Sequence, residues 1–278
     1  MNLGDVRAAF AEFYAIDEEL GRGGMACVFR ARRRDDDATV AVKVIRPEIS
    51  IGIGYKRFRR EIELLMRLDH PHILPLLETG EAGPFLYYTM PCAAGESLKA
   101  RLVRTRHLPL ADVLAVASQI GAALDYAHAH GVLHRDIKPE NILWHEDRWM
   151  LCDFGVARAL EAAAPDSLSP SGMVIGTPQY MSPEQGTAGK QLDGRSDLYA
   201  LGCVLYESLA GQLPFTGATP QAIIARHVKA PVPKLRLARP DVPEHVEAAI
   251  EWMLQKKPRA RPRRASEAVE RLATTPTR

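Results

Sequence analysis

Apolar and polar residues alternate with a period of two in the first third of the chain. Two such segments, YAIDEELGRG from Tyr14 and CVFRARRR from Cys27, flank a cluster of glycines, and TVAVKVIR from Thr39 follows a polar turn. Short runs of alternating, β-branched and aromatic residues are typical of strands. HPHILPLLETGE and GPFLYYTMP continue this pattern. We therefore predict a small β-rich lobe with five strands.

A helical period replaces this alternation in one part of the first lobe and in most of the second half. Over residues 55–68 four apolar residues recur at helical spacing among charges: Phe58, Ile62, Leu65 and Leu68. This pattern predicts an amphipathic helix. LADVLAVASQIGAALDYAHAHG ends at Gly131 and SDLYALGCVLYESLAG ends at Gly211, and glycine is a natural residue just after a helix. AIEWMLQ and ASEAVERLA complete a second, helical lobe.

Length, charge and cysteine spacing exclude several classes of protein. The 278 residues suffice for one large domain or two closely joined lobes, and a net charge of +2 does not suggest nucleic acid as an obligate partner. We find no long apolar run and no secretory signal in MNLGDVRAAFAEFY, so we expect no membrane segment in this chain. Four cysteines without C-x-x-C spacing favour buried thiols and a cytoplasmic location over disulfides or zinc: Cys27, Cys92, Cys152 and Cys203.

The glycine cluster, at Gly21, Gly23 and Gly24, lies between the first two predicted strands. Glycines here would let the hairpin lie close over phosphates, because no Cβ intervenes and a positive φ is cheap. A plain turn would have the same composition. A dinucleotide-binding fold would need a helix directly after the glycines, whereas CVFRAR has the pattern of a strand.

A lysine, Lys43, lies in the middle of the apolar segment VAVKV. Burying a lysine is costly unless it meets an anion. An exposed strand face would also accommodate it. Glu61, on the predicted helix that follows, offers a partner, and both would then face a crevice between the two lobes, which is a usual place for a ligand.

The densest group of polar residues is HRDIKPENIL at 134–143, which is followed by DFG at 153–155. An acid, a lysine and a carboxamide lie close together at Asp136, Lys138 and Asn141, and the DFG aspartate follows one short hairpin later. Two carboxylates and a carboxamide can hold Mg²⁺ ions and orient a hydroxyl, while lysines neutralise charge on a transferred group. The pattern indicates phosphoryl transfer.

Six features occur in the order found in eukaryotic-type protein kinases: GRGGMACV, VAVK, the helix glutamate, HRDIKPEN, DFG and GTPQYMSPE. The residues within these motifs resemble those of the bacterial branch, the eukaryotic-like serine/threonine kinases. The resemblance implies an α+β bilobal protein-kinase fold, with a small antiparallel-sheet N-lobe and a larger, mostly helical C-lobe. It also implies ATP and Mg²⁺, with Mn²⁺ as a substitute. The implied bounds are 13–273 for the domain, about 13–90, 91–96 and 97–273 for N-lobe, hinge and C-lobe, and 1–12 and 274–278 for flanking segments.

The resemblance assigns roles position by position. Asp136 would accept or orient the proton of the substrate hydroxyl, Lys138 would steady the γ-phosphate, and Lys43 would contact the α and β phosphates and be held by Glu61. Magnesium would be bound by two side chains: Asn141 and Asp153. The nucleotide would be contacted by further residues, with Met90 as gatekeeper: Leu20, Gly21, Gly23, Val28, Ala41, Met90, Pro91, Ala93 and Leu143.

Several other residues have implied structural roles. Asp197 would brace the backbone of the catalytic loop, and Glu184 would form a buried ion pair with Arg261. A packed column would link the lobes through four side chains: Leu65, Leu76, His134 and Phe154. The third glycine of the family's loop is Ala26 here, which should have a modest effect on nucleotide affinity.

The substrate class and regulation follow from the same comparison. Lys138 after Asp136, together with Thr177 in GTPQY as a substrate-positioning residue, matches kinases that act on serine and threonine. Arg135 stands where an arginine commonly meets a phosphate on the activation segment. Three serines are candidates for autophosphorylation, the alternative being a serine-rich loop without a switch role: Ser167, Ser169 and Ser171.

Two alternatives remain beside an active serine/threonine protein kinase. A pseudokinase scaffold would be expected to lack Lys43, Asp136 or Asp153, and a small-molecule kinase would be expected to lack GTPQYMSPE. The expected partners are ATP and protein substrates, and a homodimer would allow trans-autophosphorylation. The chain could also be the cytoplasmic part of a membrane-anchored kinase.

The basic stretch KKPRARPRRASEAVERLA is expected to be a solvated helix surface apart from Arg261, or else a surface for anionic lipid.

Overall fold

A computed structural model describes residues 1–50, 55–154, 177–187 and 192–274 of the chain. Among these residues the contacts separate two compact units. The first contains Met1–Asp69 and Ile73–Ala94. The second contains His70–His72, Gly95–Phe154 and the described residues from 177 onward. The first unit holds an antiparallel sheet and the second is mostly helical, which confirms the predicted α+β fold.

The sheet of the first unit has five antiparallel strands in the order β1-β2-β3-β5-β4. The strand bounds are β1 Tyr14–Arg22, β2 Ala26–Arg33, β3 Thr39–Ile45, β4 Glu78–Ala82 and β5 Phe85–Pro91. β4 begins at Glu78, so the segment HPHILPLL at 70–77, predicted as part of a strand, lies before it. Pro71 and Pro75 have no N–H to give to a ladder, which explains why pairing starts only after them.

One face of this sheet packs against a helix that the sequence analysis did not predict. This helix, α1 (Leu3–Phe10), is capped by Asn2, whose side chain accepts the N–H of Asp5. Val6 and Phe10 are fully buried against the sheet. The rest of this core comes mainly from the strands: Tyr14, Ile16, Cys27, Phe29, Ala31, Val40, Val42, Val44, Ala82, Phe85 and Tyr87.

Two further helices complete the first unit, α2 (Pro47–Ser50) and α3 (Tyr55–Leu65). The amphipathic helix predicted over 55–68 therefore ends at Leu65. The predicted apolar residues are nevertheless all buried: Phe58, Ile62 and Leu65 on the helix and Leu68 shortly after it.

The second unit is built around one long helix, α5. Its helices are α4 (Leu98–Thr105), α5 (Leu110–Ala129), α6 (Gly194–Ala210), α7 (Pro220–Lys229), α8 (Leu235–Ala238), α9 (Glu244–Met253) and α10 (Ala265–Ala273). A hairpin of β6 (Ile142–His145) and β7 (Arg148–Leu151) and short 3-10 turns at Pro139–Asn141 and Pro258–Ala260 complete it. Gly131 and Gly211 have φ values of 73° and 70° just after α5 and α6, which confirms the predicted helix ends.

Helix α5 contacts α6, α10 and β7. Asp125 on α5 accepts the backbone N–H groups of Ala265 and Ser266 with its two carboxylate oxygens, at 2.6 and 2.9 Å, and so caps α10. Among the described residues α5 is the one helix long and apolar enough to cross a membrane by length and composition. Eight of its residues are buried in the unit, which is the usual position of a core helix.

Candidate active site

The loop at 134–141 is anchored by a buried carboxylate. Asp197, in the first turn of α6, accepts the backbone N–H of His134 at 2.9 Å and that of Arg135 at 2.7 Å, and its Oδ2 accepts Nε2–H of His128 at 2.8 Å. Burial raises the pKa of Asp197, but the hydrogen bond and charge of His128 and the backbone donors outweigh it and hold the pKa below its ordinary value. The predicted bracing role of Asp197 is confirmed.

The loop backbone adopts an unusual conformation at Arg135, whose φ is 70°. Residues with a side chain rarely occupy this region, and they do so where the surrounding structure holds them there. The hydrogen bond to Asp197 supplies part of that support. The next residue is Asp136, so the anchored backbone determines where its carboxylate lies.

Three functional groups meet beside this backbone. Asp136 Oδ2 accepts a hydrogen bond from Lys138 Nζ at 2.5 Å, and Oδ1 accepts one from Thr177 Oγ1 at 3.3 Å. Lys138 Nζ also donates to Thr177 Oγ1 at 3.2 Å. The Thr177 hydroxyl is thus held between the Asp136 carboxylate, which can accept a proton, and the Lys138 ammonium, which can neutralise negative charge. All three residues were singled out in the sequence.

Asn141 and the DFG aspartate lie beside the same loop. Asn141 Nδ2 donates to the backbone oxygen of Asp136 at 2.8 Å, which leaves its Oδ1 as an acceptor. Cys152 N–H donates to the backbone oxygen of Asn141 at 2.9 Å, and Asp153 follows with a φ of 64°.

These two oxygen donors suit a divalent cation. In the part of the chain that the structure describes, no cluster of three or more His, Cys, Asp or Glu side chains is arranged to hold a metal. Mg²⁺ is commonly bound through one or two carboxylates together with substrate phosphates and water. An amide oxygen from Asn141 and a carboxylate from Asp153 suit this mode of Mg²⁺ binding.

In the first unit, several predicted nucleotide-binding residues share one face of the sheet. Gly21 is opposite Val28, Val28 is opposite Lys43, and Ala41 is opposite Met90 across the strands. Directly opposite residues point to the same side of a sheet, and alternate residues along a strand do so too. This is the face away from α1, because Val42 and Val44 belong to the α1 core.

Other predicted residues of the first unit lie near the same strands. Lys43 Nζ is 5.9 Å from the centre of the Tyr88 ring, and Glu61 lies on α3 partly buried. Pairing of Lys43 with Glu61 stays a prediction. Leu20 is 44% exposed in β1. Pro91 ends β5, and Ala93 follows in the connector.

The glycine cluster between β1 and β2 contains no glycine with positive φ. Among the described residues, the glycines with positive φ are Gly83, Gly131 and Gly211, so the hairpin glycines do not use the positive φ that glycine permits. Gly23 N–H instead closes the hairpin on Ala26 O at 2.8 Å. A Cβ at Gly21 would meet no atom within 4 Å. The cluster provides open space rather than a special backbone conformation.

The segment after Thr177 is fixed by buried polar contacts. Arg261 donates to both oxygens of Glu184 at 2.6 and 2.8 Å, and Ser196 Oγ donates to Glu184 Oε1 at 2.7 Å. Burial raises the pKa of Glu184, but Arg261 and Ser196 outweigh it and the pKa lies below its ordinary value. The predicted buried ion pair is confirmed. Tyr180 donates its hydroxyl to Glu207 Oε2 at 2.5 Å.

Two hydrogen bonds of this segment, one from His227 and one from Gln185, were missed in the sequence because they go to main-chain carbonyls. His227 on α7 is bonded through Nε2 to Gln179 O at 3.1 Å and through Nδ1 to the Tyr199 hydroxyl at 2.9 Å. Gln185 donates to Arg135 O at 2.9 Å. Every residue has a carbonyl, so sequence gives no signal for such pairs beyond a polar residue in an otherwise buried segment.

Of three remaining expectations, two concern residues that the structure describes. His134 contacts Phe154 edge-on with ring centres 4.8 Å apart, as predicted, while the continuation of that column through Leu65 and Leu76 stays a prediction. The candidate phosphorylation sites lie outside the described residues: Ser167, Ser169 and Ser171. Leu143 lies in β6, bridged to Ser97.

Most basic residues of the C-terminal stretch are exposed, as expected, and Lys256 is the exception beside the predicted Arg261. Lys256 Nζ is buried 3.9 Å from the centre of the Phe215 ring, and burial lowers its pKa to about 8. The Arg271 guanidinium lies 3.8 Å from the centre of the Trp252 ring. Aromatic rings attract cations on their faces, which explains why Lys256 packs inward and why the exposed Arg271 lies over Trp252.

Comparison with known proteins places these residues in a family context. The sequence model described as "Protein kinase domain" matches residues 14–272. The chain is 39% identical over 261 residues to "Serine/threonine-protein kinase PknB" of Mycolicibacterium smegmatis, covering 91% of this chain and 41% of the relative. It is 39% identical over 251 residues to PknD of Mycobacterium tuberculosis, covering 89% of this chain and 37% of that kinase. The chain thus spans about two fifths of the length of such curated relatives.

Two solved structures are similar to this chain over most of its length. The kinase domain of PknI from Mycobacterium tuberculosis superposes with a TM-score of 0.71 at 29% identity, covering 93% of this chain and 94% of that one. Rad53 1–466 in complex with AMP-PNP gives a TM-score of 0.78 at 27% identity, covering 94% of this chain and 65% of that one.

Proposed function

The chain belongs to the protein kinase domain family, and from that premise we propose that it transfers the γ-phosphoryl group of ATP to serine and threonine hydroxyls of proteins. The observation that carries this proposal is the contact of Asp136, Lys138 and Thr177, in which a hydroxyl lies between a carboxylate and an ammonium. The relatives that bear the name serine/threonine-protein kinase support the choice of acceptor.

In the proposed reaction the substrate hydroxyl oxygen forms a bond to the γ-phosphorus while the bond from that phosphorus to the β–γ bridging oxygen breaks. Asp136 orients the hydroxyl and accepts its proton, and ADP leaves. Lys138 neutralises charge on the transferred group. Because the transition state of phosphoryl transfer is loose, positioning and charge neutralisation supply most of the acceleration, and Asp136 need not be a strong base.

Magnesium is the proposed metal, with manganese as a substitute, and Asn141 and Asp153 are its proposed ligands. When bound, the metal would supply positive charge that offsets the negative charge of the phosphates. Asn141 also holds the loop through its bond to Asp136 O, so it serves the loop as well as the metal.

The proposed nucleotide contacts follow the shared sheet face. Lys43, held by Glu61, contacts the α and β phosphates, and Pro91 O and Ala93 N–H pair with the adenine edge. The remaining contacts are proposed to be apolar or through the glycine hairpin: Leu20, Gly21, Gly23, Val28, Ala41, Met90 and Leu143.

Regulation and location are proposed on the same basis. Autophosphorylation would modify one or more of Ser167, Ser169 and Ser171, and a homodimer would allow one copy to act on another. The cytoplasm is the proposed location, and the chain could be the cytoplasmic part of a membrane-anchored kinase. Mass spectrometry after incubation with ATP should find phosphate on these serines, and a silent segment in an active enzyme would remove the regulatory proposal.

The test of the function is labelling of myelin basic protein by [γ-³²P]ATP and Mg²⁺, comparing the unchanged chain with Asp153→Asn. We expect labelling that is lost in the variant. Tight ATP binding without labelling in either chain would favour a pseudokinase. Labelling of small alcohols or aminoglycosides, and not of protein, would favour a small-molecule kinase.

A further inference from the structure

We propose that Gln185 is a positioning residue that couples the loop carrying Asp136 to the segment carrying Thr177, an inference that rests on the proposed kinase function. Its Nε2 donates to the backbone oxygen of Arg135 at 2.9 Å. Its Oε1 accepts the backbone N–H and the hydroxyl of Ser182, both at 3.0 Å. A carbonyl only accepts and an N–H only donates, so these partners determine the orientation of the carboxamide.

The peptide group that Gln185 contacts joins Arg135 to Asp136. Arg135 has a φ of 70°, a conformation that needs external support in a residue with a side chain. Its N–H is held by Asp197 Oδ1 at 2.7 Å, and its carbonyl is held by Gln185. The backbone is therefore held from both sides immediately before Asp136, and the carbonyl bond fixes the direction in which Asp136 continues.

The other end of the carboxamide holds the segment opposite. Ser182 lies five positions after Thr177, whose hydroxyl donates to Asp136 Oδ1 at 3.3 Å. Tyr180, between them, is anchored separately to Glu207. One side chain thus spans from the backbone that carries the carboxylate to the segment that carries the hydroxyl. Removing this link should displace the two groups relative to each other without removing either.

Displacing Asp136 relative to Thr177 should lower the rate of the chemical step. It should lower the affinity for ATP less, because the proposed ATP contacts lie mainly on other residues. A merely structural link would behave differently, since its loss would lower the melting temperature and leave kcat of the folded enzyme unchanged. The two roles are therefore separable by steady-state kinetics on the folded fraction.

The experiment compares Gln185→Met and Gln185→Glu with the unchanged chain, and uses Gln255→Met as the matched control. Gln255 is exposed and its side chain contacts the backbone oxygen of Glu251. For each chain kcat, KM for ATP and KM for a serine peptide are measured, with the melting temperature alongside. For Gln185→Met we expect kcat to fall about 10-fold or more while KM for ATP stays within about twofold. Gln255→Met should match the unchanged chain.

Gln185→Glu supplies a readout that a structural role would not move. The introduced carboxylate keeps the bonds to Ser182 but cannot donate to the Arg135 carbonyl, so kcat at pH 7.5 should be low. Facing a carbonyl raises the pKa of a carboxyl group, and its protonated form can donate again. The ratio of its kcat to that of the unchanged chain should therefore rise as the pH falls to 6.

The inference is overturned if both Gln185 variants keep kcat within about twofold, whatever their melting temperatures, or if only KM for the peptide rises. Absence of phosphorylation by the unchanged chain would instead overturn the proposed function, and the inference with it.

Discussion

At the scale of single residues, Thr177 has the most direct connection to the proposed chemistry, because its hydroxyl donates to Asp136 and accepts from Lys138. We predict that Thr177→Val lowers kcat for peptide phosphorylation about 10-fold or more, since the carboxylate and the ammonium lose their shared partner. Thr177→Ser keeps the hydroxyl and should stay within a few fold. Equal losses in both variants would show that the methyl group, and not the hydroxyl, is what matters.

His227 should make the stability of the fold depend on pH. Burial, with a contribution from the charge of Lys256, lowers its pKa to about 4 from an ordinary value of 6.5. The unfolded chain therefore binds this proton more readily than the folded chain. The stability that the neutral ring contributes is present above pH 6.5 and is lost as the pH falls toward 4.

Urea denaturation at pH 7 and pH 5 measures this effect. The unchanged chain should lose about 2 kcal/mol through His227 over this interval. His227→Gln can still donate to Gln179 O and accept from Tyr199, but it does not titrate. Its stability should fall by that much less on acidification, and an identical fall in both chains would contradict the prediction.

At the scale of secondary-structure elements, the end of one helix depends on a carboxylate from another. Asp125 accepts the first backbone N–H groups of α10, whose own N-cap residue, Arg264, makes no capping bond with its side chain. We predict that Asp125→Ala lowers the free energy of unfolding by about 1–2 kcal/mol, the usual cost of losing a cap. Glu270→Ala, at an exposed position on α10, is the matched control and should have little effect in the same denaturation experiment.

The elements that the sequence predicted are those whose pattern is local. The strands and helices α3, α5, α6, α9 and α10 have periodic apolar faces, and glycines after α5 and α6 mark their ends. Helix α1 was missed because its eight residues bury only Val6 and Phe10, too few for a period to be visible. The short helices α2, α4, α7 and α8 were not predicted either.

In the candidate site, too, some residues could be predicted from the sequence and others could not. Side chains within a motif, such as Asp136 and Lys138, were identified because their spacing carries the chemistry. The contacts of Gln185 and His227 with main-chain carbonyls were not, because a carbonyl has no identity in the sequence and only folding brings it to a particular side chain.

At the scale of the whole molecule, α1 is integral to the core of the first unit. Phe10 is fully buried and its ring lies 4.9 Å from that of Tyr87, centre to centre, whereas Phe13 is 46% exposed. We predict that Phe10→Ala costs about 3–5 kcal/mol of stability and that Phe13→Ala costs much less. Thermal denaturation of the two variants provides the comparison, and similar losses would argue against a core role for α1.

The separation in sequence between α5 and the elements that bury it has a consequence for synthesis on the ribosome. Asp125 meets Ala265 across 140 positions, so the apolar helix emerges long before its last partner is translated. At synthesis rates of about 5–20 residues per second this interval lasts roughly 7–28 seconds. During that time the nascent chain exposes an apolar segment long enough to be taken for a membrane span, so we expect holdase chaperones to bind it until α10 leaves the exit tunnel.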